Sequence, residues 1–355
     1  MSGVLASCRR CEATMPGLLL HWARTEPDRL AFREKRLGVW ERITWGDYWT
    51  QVKRFALGLR ELGFGPGDRL AVAAENTPEW MYADLAAQAL GGACLGVYPT
   101  NPWPELQYIV RHSRTKIVVC GDQEQTDKVL EAMRQEGGLP DLVRIVCVDM
   151  KGLRKYPRDR LMSFADVVAL GAAAEAAAGD TIEAGIAALR PDDVAIVVYT
   201  SGTTGMPKGA MLTHANMLYS ASAVVEKFGL SAATYSVVCY LPLCHVAERS
   251  FSTVMQLVCG SAVNFAESVD TVATNLREIA PLGFLGVPRI WEKLQQNVLI
   301  RVKDATPFQQ RVFERCMALG RGIADRSIAA GGVRQGWRDK AVFALLWLAC
   351  FRALQ

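Results

Sequence analysis

Apolar and polar positions follow two alternating periods over most of the chain. Arg69–Ala74 is a short apolar run with strand character. Asn76-Thr77-Pro78-Glu79-Trp80 then reads as a helix start, with Thr77 as cap and proline at the first helical position. That helix is predicted to run to about Leu90, where Gly91-Gly92 breaks it. The alternation continues with a strand at Ala93–Val97, a helix at Pro104–His112, a strand at Lys116–Cys120, a helix at Thr126–Gln135 and a strand at Val143–Val148. Strands separated by helices of this length imply right-handed βαβ units in a parallel sheet, an α/β fold. Ligands in such sheets sit at the carboxyl ends of strands.

Upstream, Leu30-Ala31-Phe32 and Ile43-Thr44 are predicted as short strands around a turn at Gly38. Tyr48, Val52, Phe55, Leu59 and Leu62 repeat at helical spacing, with Gly63 as the stop. Residues 1–20 read as a loosely ordered lead, and the Ala-rich stretch 171–187 as a surface connector with some helix.

The run Val194-Ala195-Ile196-Val197-Val198 has the β-branched character of a buried strand. It leads into Tyr199-Thr200-Ser201-Gly202-Thr203-Thr204-Gly205-Met206-Pro207-Lys208-Gly209. Glycines let backbone N–H groups approach an anion closely, hydroxyls at Ser201, Thr203 and Thr204 add donors, and Lys208 adds a mobile positive charge. A helix from about Thr213 is expected to aim its positive end at the same place, giving strand, loop and helix. The loop is not a Walker A motif: Pro207 stands where that pattern has its second glycine, and Gly209 follows Lys208.

Further on, Ser236–Tyr240 reads as a strand, Leu241-Pro242-Leu243-Cys244-His245 as a junction, and the segment to about Val258 as a helix. A lone histidine there is more often structural than chemical. Gly260–Phe265 and Gly283–Gly286 read as strands, and Val269–Ile279 as a helix. Val287-Pro288-Arg289-Ile290-Trp291-Glu292-Lys293-Leu294 opens an amphipathic helix, and residues 304–355 carry two further helical patterns around Gly331-Gly332.

Composition narrows the function classes. The 355 residues carry 40 basic and 36 acidic side chains, net +4, which is too balanced to argue for nucleic acid. Ten cysteines are scattered through apolar runs, as in reduced buried thiols, and Cys8-Arg9-Arg10-Cys11 is a lone CxxC pair. Leu18-Leu19-Leu20 is too short for a signal-peptide core. The apolar run Ala341–Phe351 is shorter than the ~20 residues a bilayer span needs. These features predict a cytoplasmic protein, with peripheral contact at the inner face of a membrane as the minority alternative.

The segment Tyr199–Gly209, followed by Met211-Leu212-Thr213-His214, resembles the first core motif of the AMP-forming adenylate synthetases, the superfamily of acyl-CoA synthetases, luciferases and peptide-synthetase adenylation domains. Pro242-Leu243-x-His245 resembles its second. Gly65–Val72, Asn76–Trp80 and Gly96–Asn101 look like early blocks of acyl-CoA synthetases and read as packing rather than chemistry. Val287–Leu294 and the helical patterns beyond resemble the long-chain and bubblegum-type enzymes.

The resemblance implies two steps: a fatty acid carboxylate attacks ATP to give acyl-AMP and pyrophosphate, then coenzyme A takes the acyl group. It assigns Thr200, Ser201, Gly202, Thr203, Thr204, Gly205 and Lys208 to the phosphates, Thr203 or Thr204 to Mg²⁺, and His245 with Lys208 to catalysis. Arg249 stands where some long-chain relatives carry a gating tryptophan, so it could occlude an acyl tunnel or pair with Glu248 or a phosphate; Trp291 is a second tunnel candidate. Blocks that hold the ribose, a magnesium-binding glutamate and a mobile C-terminal domain with a catalytic lysine are expected beyond Gln355. The chain therefore reads as the N-terminal part of such an enzyme, poorly soluble and inactive alone. A homodimer is left open. The alternatives are an adenylating ligase for another carboxylic acid and a nucleotide-binding fragment without catalysis.

Overall fold

The computed structural model describes residues 2–200, 205–281 and 283–329. It divides into one unit to Phe284 and a second from Leu285. The described strands, in chain order, are β1 (Leu30–Arg36), β2 (Val39–Thr44), β3 (Arg69–Ala73), β4 (Ala93–Gly96), β5 (Ile117–Cys120), β6 (Arg144–Cys147), β7 (Leu161–Ser163), β8 (Val194–Thr200), β9 (Lys208–Thr213), β10 (Ser236–Cys239) and β11 (Ala262–Phe265).

Seven of them form a sheet in the order β7-β6-β5-β3-β4-β8-β9. Every pair is parallel except β8 with β9. The other four form a sheet in the order β10-β11-β1-β2, parallel but for the β1–β2 hairpin. The larger sheet is covered on both faces. Leu70, Val72, Ile117 and Val119 belong to one apolar cluster, while Ala71, Ala73, Val118 and Cys120 belong to another on the opposite face. Period-two alternation with both sets buried is what a parallel sheet between helices requires.

Local signals set the helix starts. Thr44 with Asp47, Ser163 with Asp166, and Thr213 with Asn216 form capping boxes at the helices Trp45–Glu61, Phe164–Ala178 and His214–Phe228. Proline occupies the first turn of Pro78–Ala89 and Pro288–Lys303, as the pattern predicted.

The lead is more ordered than its sequence suggested. It holds the helices Ser2–Arg9 and Met15–Thr25, and Met15, Leu18, Leu19 and Trp22 bury one face of the second. Trp22 Nε1 donates to the Leu257 carbonyl at 2.6 Å, and the Met15 amide donates to His214 Nδ1 at 3.3 Å. Both partners lie more than 190 positions away, so no local pattern reports them. Burial pushes His214 down to about 4, keeping it a neutral acceptor.

The Ala-rich stretch is helical over Phe164–Ala178 and Thr181–Ala188. Its first helix lies tightly against Trp45–Glu61. A Cβ on Gly171 would sit 1.8 Å from the Arg54 carbonyl oxygen, and one on Gly58 2.1 Å from that of Val167. Phe55 and Phe164 stack at 4.1 Å, and Arg54 Nε donates to Glu175 at 3.0 Å. Small residues here are used for close helix packing.

No strand forms among the described residues of 283–286; Gly283 N donates to Ser236 O at 3.3 Å, and Phe284 stacks with Tyr240 at 5.5 Å. The second unit holds the helices Pro288–Lys303 and Pro307–Ala329. A groove of about 620 Å³ runs along them, lined by Trp291, Leu294, Val298, Phe313 and Met317. The apolar run 341–351 lies outside the described residues.

Adding one methyl group should separate the two kinds of glycine. Gly171→Ala is expected to cost about 3 kcal/mol by forcing the helices apart. Gly185→Ala, whose Cβ would meet nothing closer than 3.7 Å, is expected to stabilise by up to about 1 kcal/mol. Urea midpoints of the two variants against the parent check both signs.

Candidate functional site

The carboxyl ends of β4 and β8 lie side by side, paired through Cys94 with Ile196 and Leu95 with Val197. A cavity of about 360 Å³ opens there, within the ~300–1,000 Å³ range of small-molecule sites. Gly96 and Tyr98 come from the β4 end, Tyr199 and Thr200 from the β8 end, Glu105 from the helix Trp103–His112, and His245 from the segment after β10. Gly96 is what lets that last segment arrive: a Cβ there would lie 2.5 Å from the Cys244 Cα.

The glycine-rich stretch is the tip of a hairpin. Thr200 pairs with Lys208, and β9 runs back antiparallel until Thr213 faces Val194. The helix His214–Phe228 therefore starts at the far end of β8, roughly 20 Å from Thr200 at the usual strand rise. The expected helix start is right, but the expected geometry is corrected: its positive end does not face the loop. The expected order left Gly209–Leu212 in the loop, and these residues instead pair with β8. An anion at this loop would gain nothing from the dipole of that helix.

Ser201, Gly202, Thr203 and Thr204 lie outside the described residues. Gly205 has φ of 139°, a conformation that favours glycine. The rim beside it is tethered, because Tyr108 Oη donates to the Pro207 carbonyl at 3.0 Å and Tyr199 Oη lies 2.8 Å from His112 Nδ1. Thr200 and Lys208 are exposed at the hairpin neck. Thr200 lines the cavity; Lys208 stands beside it without lining it.

His245 caps the helix that follows. Its Nδ1 accepts from the Ala247 amide at 3.1 Å. In the neutral ring Nε2 then carries the proton, which makes His245 a donor. The structure thus brings Thr200 and His245 to one cavity from two different sheets.

Arg249 is fully buried, 1% exposed, and its partner is Asp84 rather than Glu248 or a phosphate. Arg249 Nε donates to Asp84 Oδ2 at 2.9 Å, and Nη2 closes a second bond to Oδ1. The guanidinium sits 4.8 Å above the Trp80 ring, and Gln88 Nε2 donates to Asp84 at 2.5 Å. Arg249 also opens a π-helical turn, Arg249–Val254, inside the predicted helix. Such turns concentrate at functional sites. Trp291 lies in the second unit, 54% exposed, with its ring N–H on the Gly286 carbonyl at 2.9 Å.

Tyr98, Glu105, Asn76 and Asp84 escaped the sequence reading as site or support residues. Asn76 and Tyr98 fall in blocks that the sequence flagged only for packing. Nothing local signals that Asp84 meets residue 249.

The hairpin neck, the cavity at the strand ends and His245 together form one candidate small-molecule site. The chain belongs to the AMP-binding enzyme family, whose profile matches residues 19–329. It is 31% identical over 297 residues to the long-chain-fatty-acid–CoA ligase ACSBG2 of Xenopus laevis, covering 81% of this chain and 39% of that protein. It is 31% identical over 277 residues to ACSBG1 of Bos taurus, covering 76% and 37%. The chain thus spans about two fifths of the length of these relatives. Among solved structures, a long-chain-fatty-acid-CoA ligase from Archaeoglobus fulgidus superposes with a TM-score of 0.64 at 19% identity, covering 79% of this chain and 53% of the other. A fatty acyl CoA synthetase from Mycobacterium tuberculosis gives 0.62 at 19%, covering 80% and 51%. These likenesses establish the fold as that of the N-terminal domain of adenylate-forming synthetases.

One buried carboxyl beside the site should leave a pH signature. Glu248 accepts from the Leu241 amide at 3.3 Å and from the Ser252 hydroxyl, and burial pushes it up to about 7. The folded state therefore keeps a proton that the unfolded chain loses above about pH 4.3. Stability from this group is full below that value and is lost as pH rises to 7. Glu248→Gln should exceed the parent by on the order of 3 kcal/mol at pH 8 and match it at pH 4. Denaturant midpoints at the two pH values check the convergence.

Proposed function

We propose that this chain supplies the phosphate-binding and carboxylate-positioning parts of an ATP-dependent long-chain fatty acid–CoA ligase. The observation that carries the reading is the single cavity with Thr200 on one side and the His245 imidazole on another. The names of the relatives supply the substrate class.

In this reading the hairpin tip, Thr200 through Gly205, wraps the triphosphate with backbone N–H groups and hydroxyls, and Lys208 neutralises charge as pyrophosphate departs. His245 Nε2–H donates to the fatty acid carboxylate or to an α-phosphate oxygen, holding the two reactants in line. The carboxylate oxygen bonds to the α-phosphorus, the bond to pyrophosphate breaks, and acyl-AMP is left. The coenzyme A thiol, after losing its proton, then attacks the acyl carbon and expels AMP. A free carboxylate is a poor acyl donor, and the mixed anhydride has a good leaving group.

Mg²⁺ fits this donor set, because it takes few protein ligands and rides largely on phosphate oxygens. When bound it would neutralise phosphate charge, with Thr203 or Thr204 as the hydroxyl ligand. The acyl chain is proposed to pass Arg249, its charge already neutralised by Asp84. A fatty acid substrate partitions into bilayers, so we place the enzyme in the cytoplasm with peripheral contact at a membrane. No described helix is long and apolar enough to cross one.

Calorimetric titration of the purified protein with ATP tests the nucleotide half. Lys208→Ala should weaken binding about tenfold to hundredfold, the loss of a charge-assisted contact. His245→Ala should leave ATP affinity within about twofold while weakening binding of a fatty acid to the ATP-loaded protein about tenfold, read by a second titration. Absence of any ATP binding would sink the reading. ATP binding with no fatty acid binding to the parent would favour a nucleotide-binding protein instead.

A further inference from the structure

His245 belongs to a segment that arrives from the four-stranded sheet, yet it faces a cavity at the end of the seven-stranded one. Something must fix one relative to the other. The side chain that does so is Asn76, three residues beyond the end of β3. Its Nδ2 donates to the Leu241 carbonyl at 2.6 Å and lies 3.3 Å from Cys239 Sγ. Its Oδ1 accepts from the Leu243 amide at 2.9 Å. These two backbone groups flank Pro242, which has no N–H of its own. One carboxamide thereby grips both sides of the Leu241-Pro242-Leu243 turn, as a neighbouring peptide group would in a sheet. The turn passes its position on directly, because the His245 amide donates to the Pro242 carbonyl at 2.9 Å.

The other side of His245 is held from the same element. The Arg249 amide donates to the His245 carbonyl at 3.1 Å, and the Arg249 guanidinium is locked onto Asp84 of the helix Pro78–Ala89 that follows Asn76. We propose that Asn76 is a positioning residue for His245, with the Asp84–Arg249 pair as its second anchor. The geometry selects asparagine. Aspartate of the same shape lacks the donor for Leu241, and glutamine would set the turn one methylene further out. The segment 76–89, whose opening block Asn76–Trp80 its sequence marks as packing, thus sets the separation of His245 from the Thr200 hairpin. What that separation serves rests on the adenylating reading; the positioning itself does not.

The test is a spectroscopic one that needs no nucleotide, so it stands or falls apart from the proposed reaction. The chain has four histidines, and labelling them with ¹⁵N gives four imidazoles to follow, with His245→Gln assigning the fourth. In the parent, His245 Nδ1 should show the shift of a hydrogen-bond acceptor, and the Ala247 amide should be protected from exchange. In Asn76→Asp and Asn76→Ala the His245 signals should move to the averaged values of an unconstrained ring. Exchange at Ala247 should rise at least tenfold, with His112 and His214 unchanged. Asn76→Gln should not restore the parent spectrum. Unchanged His245 signals in folded Asn76 variants would overturn the proposal. Should those variants fail to fold, the parent decides alone: the Leu243 amide, bonded to Asn76 Oδ1, must exchange slowly, and an unprotected Leu243 amide refutes the clamp.

Discussion

A parallel sheet with helices on both faces has only its strand ends left for solvent, and that constraint shapes the molecule. Side chains at odd and even positions of β3 and β5 go to different apolar clusters, so neither face has room for a ligand. Chemistry is displaced to the carboxyl ends of β4 and β8, where Gly96 and Thr200 line a common cavity. The hairpin after β8 and the early segment after β3 both start from that edge. A long reach from the second sheet brings His245 to the same place.

That reach depends on buried polar groups whose isolation would be costly. Asp84 and Arg249 have 0% and 1% exposure, and both oxygens of the carboxylate are engaged by the guanidinium. Breaking a buried pair of this kind by removing one partner costs about 3–5 kcal/mol, since the survivor is left charged in a poor solvent. An apolar pair of the same volume could match its stability. What an ion pair adds is a fixed distance and direction, and here it ties the helix of Asp84 to the turn that follows His245. The face of Trp80 completes the enclosure of the cation.

The hairpin alters the electrostatics that a strand, loop and helix order would imply. In that order a helix dipole contributes to anion binding without any side chain. With β9 interposed, the helix starting at His214 faces the opposite end of the sheet, and His214 there serves as a neutral acceptor for the N-terminal segment. That helix therefore adds no positive potential at the loop, and Lys208 stands at the neck of the hairpin. At the neck of the hairpin Lys208 pairs with Thr200, and the Pro207 carbonyl accepts from Tyr108.

Much of this was written locally. The β-branched run of β8, the proline at the start of Pro78–Ala89, the capping boxes and the alternation from Arg69 to Val148 each concern residues a few positions apart, and each recurs in the structure. Thr200 and His245 stood out as candidates because their short motifs resemble known ones, and both line the same cavity. The tertiary structure alone decided that Gly-Ala-Met-Leu is a strand, that Met15–Thr25 is buried, and that Arg249 answers Asp84 rather than its neighbour Glu248. It alone decided that Asn76 holds the turn before His245. Propensity and period are short-range quantities, whereas a buried charge or amide takes its partner from whatever the fold brings within about 3 Å. In this chain those partners lie some 160 to 240 residues apart.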